Sequence, residues 1–315
     1  MRLHSRPVIV LGIIFGIVTA WGHSFAYLAS RWFTVEGHGR PTQLLAVGHL
    51  QLGVLSAAAL PLVWPSELAW DWSWAGPVLI GTVALAISQA SLFAALRHTD
   101  ASAVAPLLSL KIAVLAAVAW IGFGEAQTPL QILGVALAVL GALLLNGLGG
   151  RPPWRALGWA GVTILGYATC DTTINIAIEA IIEQTGVTGV PARLNAGVAV
   201  AAMVYGAAGV LAGASLPWFG SRDPQLWRRA VPYVASWALA MIGLYCTFAL
   251  LGAVYGAILQ NTRALWSIVL GAVLAHRGWA HLETPHGRGV LAARILAALF
   301  LIGAVGLYAL GKIEN

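Results

Sequence analysis

The chain has 315 residues, 59% of them hydrophobic and 9% charged, with a formal net charge of +6 and a mean hydropathy of +0.84. Soluble domains carry about 25% charged residues, so this composition excludes a soluble globular protein. It also makes nucleic acid an unneeded explanation of the pI near 9.7, because Arg and Lys of membrane proteins collect in short loops on one side.

A spanning helix needs about 20 predominantly apolar residues. Such stretches occupy 8–30, 43–64, 77–97, 101–123, 129–148, 157–179, 191–213, 229–252, 254–275 and 289–310. They predict an all-α integral membrane protein of ten transmembrane helices. No connection between them is long enough for a soluble domain. The first span lacks the short apolar core and cleavage site of a signal peptide and is read as retained.

In the first span Thr19, His23 and Tyr27 form a mild polar face, and His23 reads first as a hydrogen-bonded interior histidine. His49 and Gln51 in the second read as facing a helix interface. After it, WPSELAWDWSWAG (64–76) mixes tryptophans with Glu67 and Asp71, the composition of an interfacial anchor. Ser88, Gln89 and Ser91 mark the third span.

The fourth span holds Lys111 at the centre of LLSLKIAVLAAVAW (107–120), in a chain with 15 Arg but only 2 Lys. Leu107, Leu108, Val114 and Leu115 are its neighbours at helical spacing. Its counter-ion must therefore come from another helix, from water or from a ligand. Pro106, five residues earlier, either loosens the turn so that freed carbonyls help solvate a charge or simply kinks the helix. In the sixth span, Tyr167, Asp171, Asn175, Glu179 and Glu183 recur every four residues, and Asp171 is the carboxylate placed well inside a span. The ninth span carries Arg263 in ILQNTRALWSIVLGAVLA, with Gln260 and Ser267 on its face and Trp266 beside it. Cys170 and Cys246 both fall within spans, where they read as small packing residues.

Lys111 and Arg263 are 152 residues apart and hold equivalent places in two halves of five helices. An odd number of spans per half inverts the second half, which predicts two inverted five-helix repeats over 1–150 and 151–315. Intramembrane charges cost about 2.5–3.5 kcal/mol each even on the lenient insertion scale, so they persist where they pair or line a wet cavity. Two cations and one anion leave a surplus positive charge, which suits an anionic substrate group. The bland alternative is a permanent Lys111–Asp171 salt bridge that fixes helix register, with Arg263 tied to carbonyls. Glycines spaced by four at Gly12/Gly16, Gly209/Gly213 and Gly252/Gly256 read as packing within the monomer. Walker loops, His/Cys metal spacing and a nucleophile–base pattern are not seen, so no cofactor, metal or catalytic residue is expected.

The stretch ALRHTDASAVAPLLSLKIAVLAAVAWIGFGEAQTPLQILGVALAVLGALLL (95–145) resembles the drug/metabolite transporter superfamily in its EamA-type ten-helix branch. The short Thr/Ala/Ser turn, the long apolar fourth helix, Gly124-Glu125 and Thr128-Pro129-Leu130-Gln131 carry the likeness. Ala126 stands where the family has arginine, and the second half departs further, with Ala275-His276-Arg277-Gly278 in the Gly-Glu-Arg place. The resemblance implies a central cavity lined by spans one, three, four, six, eight and nine, with five and ten peripheral. Many relatives have glutamate or an apolar residue at the Lys111 place. The plastid organophosphate translocators of the same superfamily hold phosphate with basic residues on spans four and nine, and Lys111 and Arg263 occupy comparable places.

Loop charge and resemblance disagree on orientation. Family members usually keep both termini in the cytoplasm. Here eleven arginines flank the connections after the odd-numbered spans, against Arg2, Arg6 and Lys312 on the side of the termini. The positive-inside rule then puts the termini outside.

The sequence therefore predicts a multi-pass inner-membrane permease, not an enzyme, that moves a small organic anion by alternating access, through exchange or proton coupling. Its partners would be the substrate and the bilayer, without nucleic acid, as a monomer or weak homodimer. The substrate-site candidates are Lys111, Arg263, Asp171, Gln260, Trp266, Asn175, Tyr167, His23 and Gln89. The rivals are an amine, amino-acid or drug exporter using Asp171 and Glu179 as a cation site, and a non-transporting receptor or scaffold.

Overall fold

A computed structural model describes residues 6–96, 98, 107–146, 153–186, 188–263, 266, 270, 273 and 288–314. Its helices are α1 (Arg6–Val35), α2 (Pro41–Val63), α3 (Trp72–Leu96), α4 (Lys111–Ala117), α5 (Pro129–Asn146), α6 (Trp154–Thr185), α7 (Val190–Phe219), α8 (Pro224–Leu251), α9 (Ala253–Asn261) and α10 (Arg288–Glu314). Each of the ten falls within or over one of the ten apolar stretches. Five of them, α1, α2, α3, α7 and α8, are long and apolar enough to cross a bilayer on length and composition alone. Helix α6 is longer still, at 32 residues, but its polar stripe lowers its hydropathy. The protein is a multi-pass membrane protein.

Helix ends follow ordinary capping chemistry. Asp223 accepts the Gln225 N–H at 2.9 Å, with Pro224 as the first helical residue of α8; this satisfies one of the orphan donors of a helix start. Gly186 stops α6 in the left-handed region (φ 62°), where its N–H reaches the carbonyls of Ile182 and Glu183. Gly252, at φ 82°, is the single residue between α8 and α9.

The fourth span is not one uniform helix. A 3-10 turn (Leu107–Leu110) leads into α4, and a π turn (Val118–Gly122) follows it. Pro106 lies outside the described residues. The most extensive helix pairings are α1 with α8, α2 with α7, α3 with α6 and α5 with α10, and α4 also meets α9. This set is unchanged when each helix is exchanged for the one five places along the chain.

Small residues let these pairs approach. A Cβ at Gly53 of α2 would meet the Gly209 backbone of α7, and Gly12 and Gly16 of α1 sit against Leu251 and Leu259. These glycines are thus used inside the monomer. Cys170 and Cys246 are free and buried. His49 lies near Tyr205 and Trp237, and Gln51 Nε2 donates to the Trp227 carbonyl at 3.0 Å. Both therefore face helix interfaces.

Candidate functional site

Four helices bring one polar chain together inside the bundle. The Lys111 ammonium on α4 donates to Asp171 Oδ2 on α6 at 2.8 Å and to Gln260 Oε1 on α9 at 2.6 Å. Gln260 Nε2 is 3.5 Å from His23 Nε2 on α1, and His23 Nδ1 is 3.0 Å from the Thr19 carbonyl. A carbonyl can only accept, so Nδ1 carries the imidazole proton and Nε2 presents its lone pair to the Gln260 amide. The neighbours of Lys111 on its own helix are apolar, and its partners come from two other helices.

Arg263 lies nearby but makes a different contact. Its guanidinium sits 5.4 Å from the centre of the Tyr27 ring, and its backbone carbonyl accepts from Ser24 Oγ at 2.9 Å. No carboxylate among the described residues forms an ion pair with it. Lys111 Nζ is also 5.9 Å from the Tyr167 ring centre. Both are cation–π distances.

The backbone is perturbed at both basic residues. Leu110, just before Lys111, has φ −61° and ψ −17°, and Thr262, just before Arg263, has φ −63° and ψ −8°. These values lie near the 3-10 region and occur at places 152 residues apart. A mid-helix departure of this kind often marks a functional hinge.

Two cavities lie along α6. The inner one, about 60 Å³, is lined by Lys111, Asp171, Gln260, Arg263, His23 and Tyr27, with further aromatic and apolar side chains around them. It has room for a few waters and not for a metabolite. The second, about 790 Å³, is a vestibule within the usual size range of ligand pockets. It opens where α4, α6 and α8 end and α5, α7 and α9 begin. Asn175, Glu179, Glu183, Glu125 and Arg193 are among its lining residues. Asn175 is one helical turn beyond Asp171, about 6 Å along the axis. The α6 stripe thus runs from the inner cavity into the vestibule.

Of the sequence candidates, Lys111, Asp171, Gln260, His23, Arg263 and Tyr167 share the inner cavity, and Asn175 lines the vestibule. Gln89 and Trp266 are half-buried and line neither cavity. Gln260, three residues before Arg263, turns to Lys111. Ser267 lies outside the described residues. Glu179, the second member of the suggested cation site, is held in a two-pronged pair by Arg193, at 2.8 and 3.0 Å. Arg193 also donates to the Ala249 carbonyl at 2.8 Å.

Sequence reasoning left out Tyr205, Trp237 and Tyr245, which line the inner cavity from α7 and α8. Trp237 Nε1 donates to the Tyr205 hydroxyl at 3.0 Å, and its ring stands edge-on to His23. A spacing of eight residues from Trp237 to Tyr245 was the available signal. The implied lining by spans one, three, four, six, eight and nine describes the inner cavity once α7 is added. Helices α5 and α10 pack together at the periphery, yet Gln131 and Tyr308 line the vestibule.

A solved crystal structure, described only as that of a protein, superposes over 96% of each chain with a TM-score of 0.66 at 15% identity; the likeness is one of fold. No curated protein matches the sequence. The model of the EamA-like transporter family matches residues 10–147. The chain therefore carries an EamA-like transporter domain over those residues, which belongs to the drug/metabolite transporter superfamily of membrane transporters.

Proposed function

We propose that the protein is a secondary transporter of two inverted repeats, 1–150 and 151–315, moving a small organic anion by alternating access. The exchange symmetry of the helix pairings supports the repeats, as does the matched backbone break before Lys111 and Arg263. The single observation that carries the anion reading is Arg263. Its guanidinium faces the inner cavity over Tyr27 with no carboxylate partner among the described residues, while Lys111 is matched by Asp171. One positive charge is therefore left for a carboxylate or phosphate-type group, and guanidinium geometry suits both.

Substrate would enter the vestibule and reach the inner site only as α4 and α9 move, because the inner cavity is too small to receive it. Lys111 and Arg263 would then hold the anionic group, with Gln260, Tyr167 and His23 shaping its surroundings and Asn175 at the threshold. A second reading has support from the vestibule's carboxylates, Glu125, Glu179 and Glu183, which favour a substrate bearing a cationic group. Loop charge supports an inner-membrane orientation with the termini outside, so that the vestibule faces outward. Internal use of the glycine pairs supports a monomer or weak homodimer.

Counterflow in reconstituted vesicles tests the choice. Vesicles preloaded with unlabelled organic anions, amines or amino acids are assayed for labelled uptake of the same compound. Anion counterflow by the wild type supports the proposal. Counterflow of amines alone, lost in Asp171→Asn, overturns it in favour of the second reading.

A further inference from the structure

We propose that Asp171 is a proton site controlled by Lys111: when an anionic substrate group takes the lysine's ammonium, Asp171 takes a proton from vestibule water, so that anion and proton move together. This deepens the anion reading and rests on it.

The charge of Asp171 is set by the groups that face it. Lys111 on α4 is the cation bonded to it, at 2.8 Å. Gln260 faces the cavity from α9 and Arg263 from just beyond its end, His23 and Tyr27 from α1, Tyr167 and Cys170 from α6 itself, Tyr205 from α7 and Tyr245 from α8. From α3 the lining side chains are Leu85 and Leu92, which carry no charge. Arg263 is engaged with the Tyr27 ring. Both His23 nitrogens are within reach of other groups, Thr19 and Gln260. Asp171 is thus the carboxylate lining the inner cavity, and Lys111 is the cation bonded to it.

The ammonium has three N–H bonds; one goes to Gln260 and one to Asp171. An anion that binds the third draws the ammonium toward itself, and a two-pronged carboxylate or phosphate-type group also takes the donor Asp171 is using. A buried carboxylate such as Asp171, left without its cation beside a cavity of about 60 Å³, is strongly penalised unless it is neutralised. Protonation neutralises it with balanced charge. The empty site holds two cations and one anion; the site with a monoanion and a proton bound again holds one net positive charge. The empty and loaded carriers then meet the same electrostatic opposition to reorienting. Without the proton, Asp171 and the substrate's anionic group would crowd the same ammonium, and like charges at that range disfavour both being ionised.

Polar side chains on the same helix extend from Asp171 toward the vestibule. Asn175, one turn from Asp171, has a buried Oδ1 with no partner and lines the vestibule with Glu179 and Glu183. A polar cavity of this size holds water. The stripe on α6 therefore leads from bulk-exposed carboxylates to Asp171.

The test separates this inference from the anion reading. Infrared spectra of the full-length protein in detergent are compared for wild type, Lys111→Gln and Lys111→Gln/Asp171→Asn at neutral pH. Removing the ammonium stands in for its capture by a substrate. The expected result is the C=O stretch of a protonated carboxyl in Lys111→Gln, absent from the wild type and from the double variant. Lys111→Met, of similar length, gives the same reading if the glutamine variant fails to fold. A lysine variant without the band overturns the proton site, because Asp171 has then stayed ionised or found Arg263. In vesicles, a transported anion should carry protons in equal number with it, and Asp171→Asn should abolish that proton movement. If the counterflow panel yields no moving anion, the anion reading fails, while the infrared result still decides whether Asp171 accepts the proton.

Discussion

The Lys111 ammonium lies 2.8 Å from Asp171 Oδ2, joining a helix of the first half of the sequence to a helix of the second. Breaking a buried pair by removing one partner costs about 3–5 kcal/mol, whereas removing both costs much less. Lys111→Leu is therefore expected to lower the thermal unfolding midpoint in detergent well below that of Lys111→Leu/Asp171→Leu. Equal midpoints for the single and double variants would mean that the pair is not energetically coupled.

Arg193 makes a different kind of pair. It grips Glu179 with two hydrogen bonds and caps the Ala249 carbonyl at the end of α8. Glu179 is half-exposed, so the ionic part is worth about 1 kcal/mol or less. Glu179→Gln should barely move the unfolding midpoint, while Arg193→Ala should lower it further by also stripping the Ala249 carbonyl. Arg193→Lys should fall between them, since lysine keeps the charge and loses the planar fork.

Asp71, in the loop before α3, accepts the Ser73 N–H at 2.6 Å. That backbone bond, helped by the Ser73 side chain, holds the carboxyl below its usual range. A carboxylate with a depressed folded pKa stabilises its loop fully above the ordinary value near 3.9, and the effect is lost as pH falls through the lower, folded value. Hydrogen exchange of the 64–76 segment should therefore be protected above about pH 4 and loosen only in stronger acid. Asp71→Asn, whose amide oxygen also accepts, should remove that acid dependence.

Orientation is decided by labelling. If loop charge sets the topology, an impermeant thiol reagent added to intact cells should label Asp71→Cys and leave Ser221→Cys untouched. The reverse pattern would place the termini and the vestibule mouth in the cytoplasm.

The ten helices were legible because each apolar run is close to bilayer length. Lys111, Asp171 and Arg263 were legible because charge within such runs is costly and therefore conspicuous. Helix rotation was harder to read. A span apolar all round gives no strong facing signal, so Gln89 and Trp266 were assigned to a cavity that neither lines. Tyr205, Trp237 and Tyr245 were missed for a related reason, since an aromatic ring inside a span looks the same whether it packs or lines a cavity. The grip of Arg193 on Glu179 depends on α6 and α7 meeting in space, which spacing along the chain does not encode. The π turn after α4 likewise lies in VAWIG (118–122) with no local signature, whereas the 3-10 turn before α4 directly follows Pro106.

The most direct measurement is anion counterflow in reconstituted vesicles for wild type and Arg263→Gln. This variant removes the unmatched charge and leaves the Lys111–Asp171–Gln260 contacts in place. The account predicts saturable counterflow of an organic anion by the wild type and its loss in Arg263→Gln, with the variant still folded. Counterflow of that anion at the wild-type rate in Arg263→Gln would contradict the claim that Arg263 receives the substrate's negative charge.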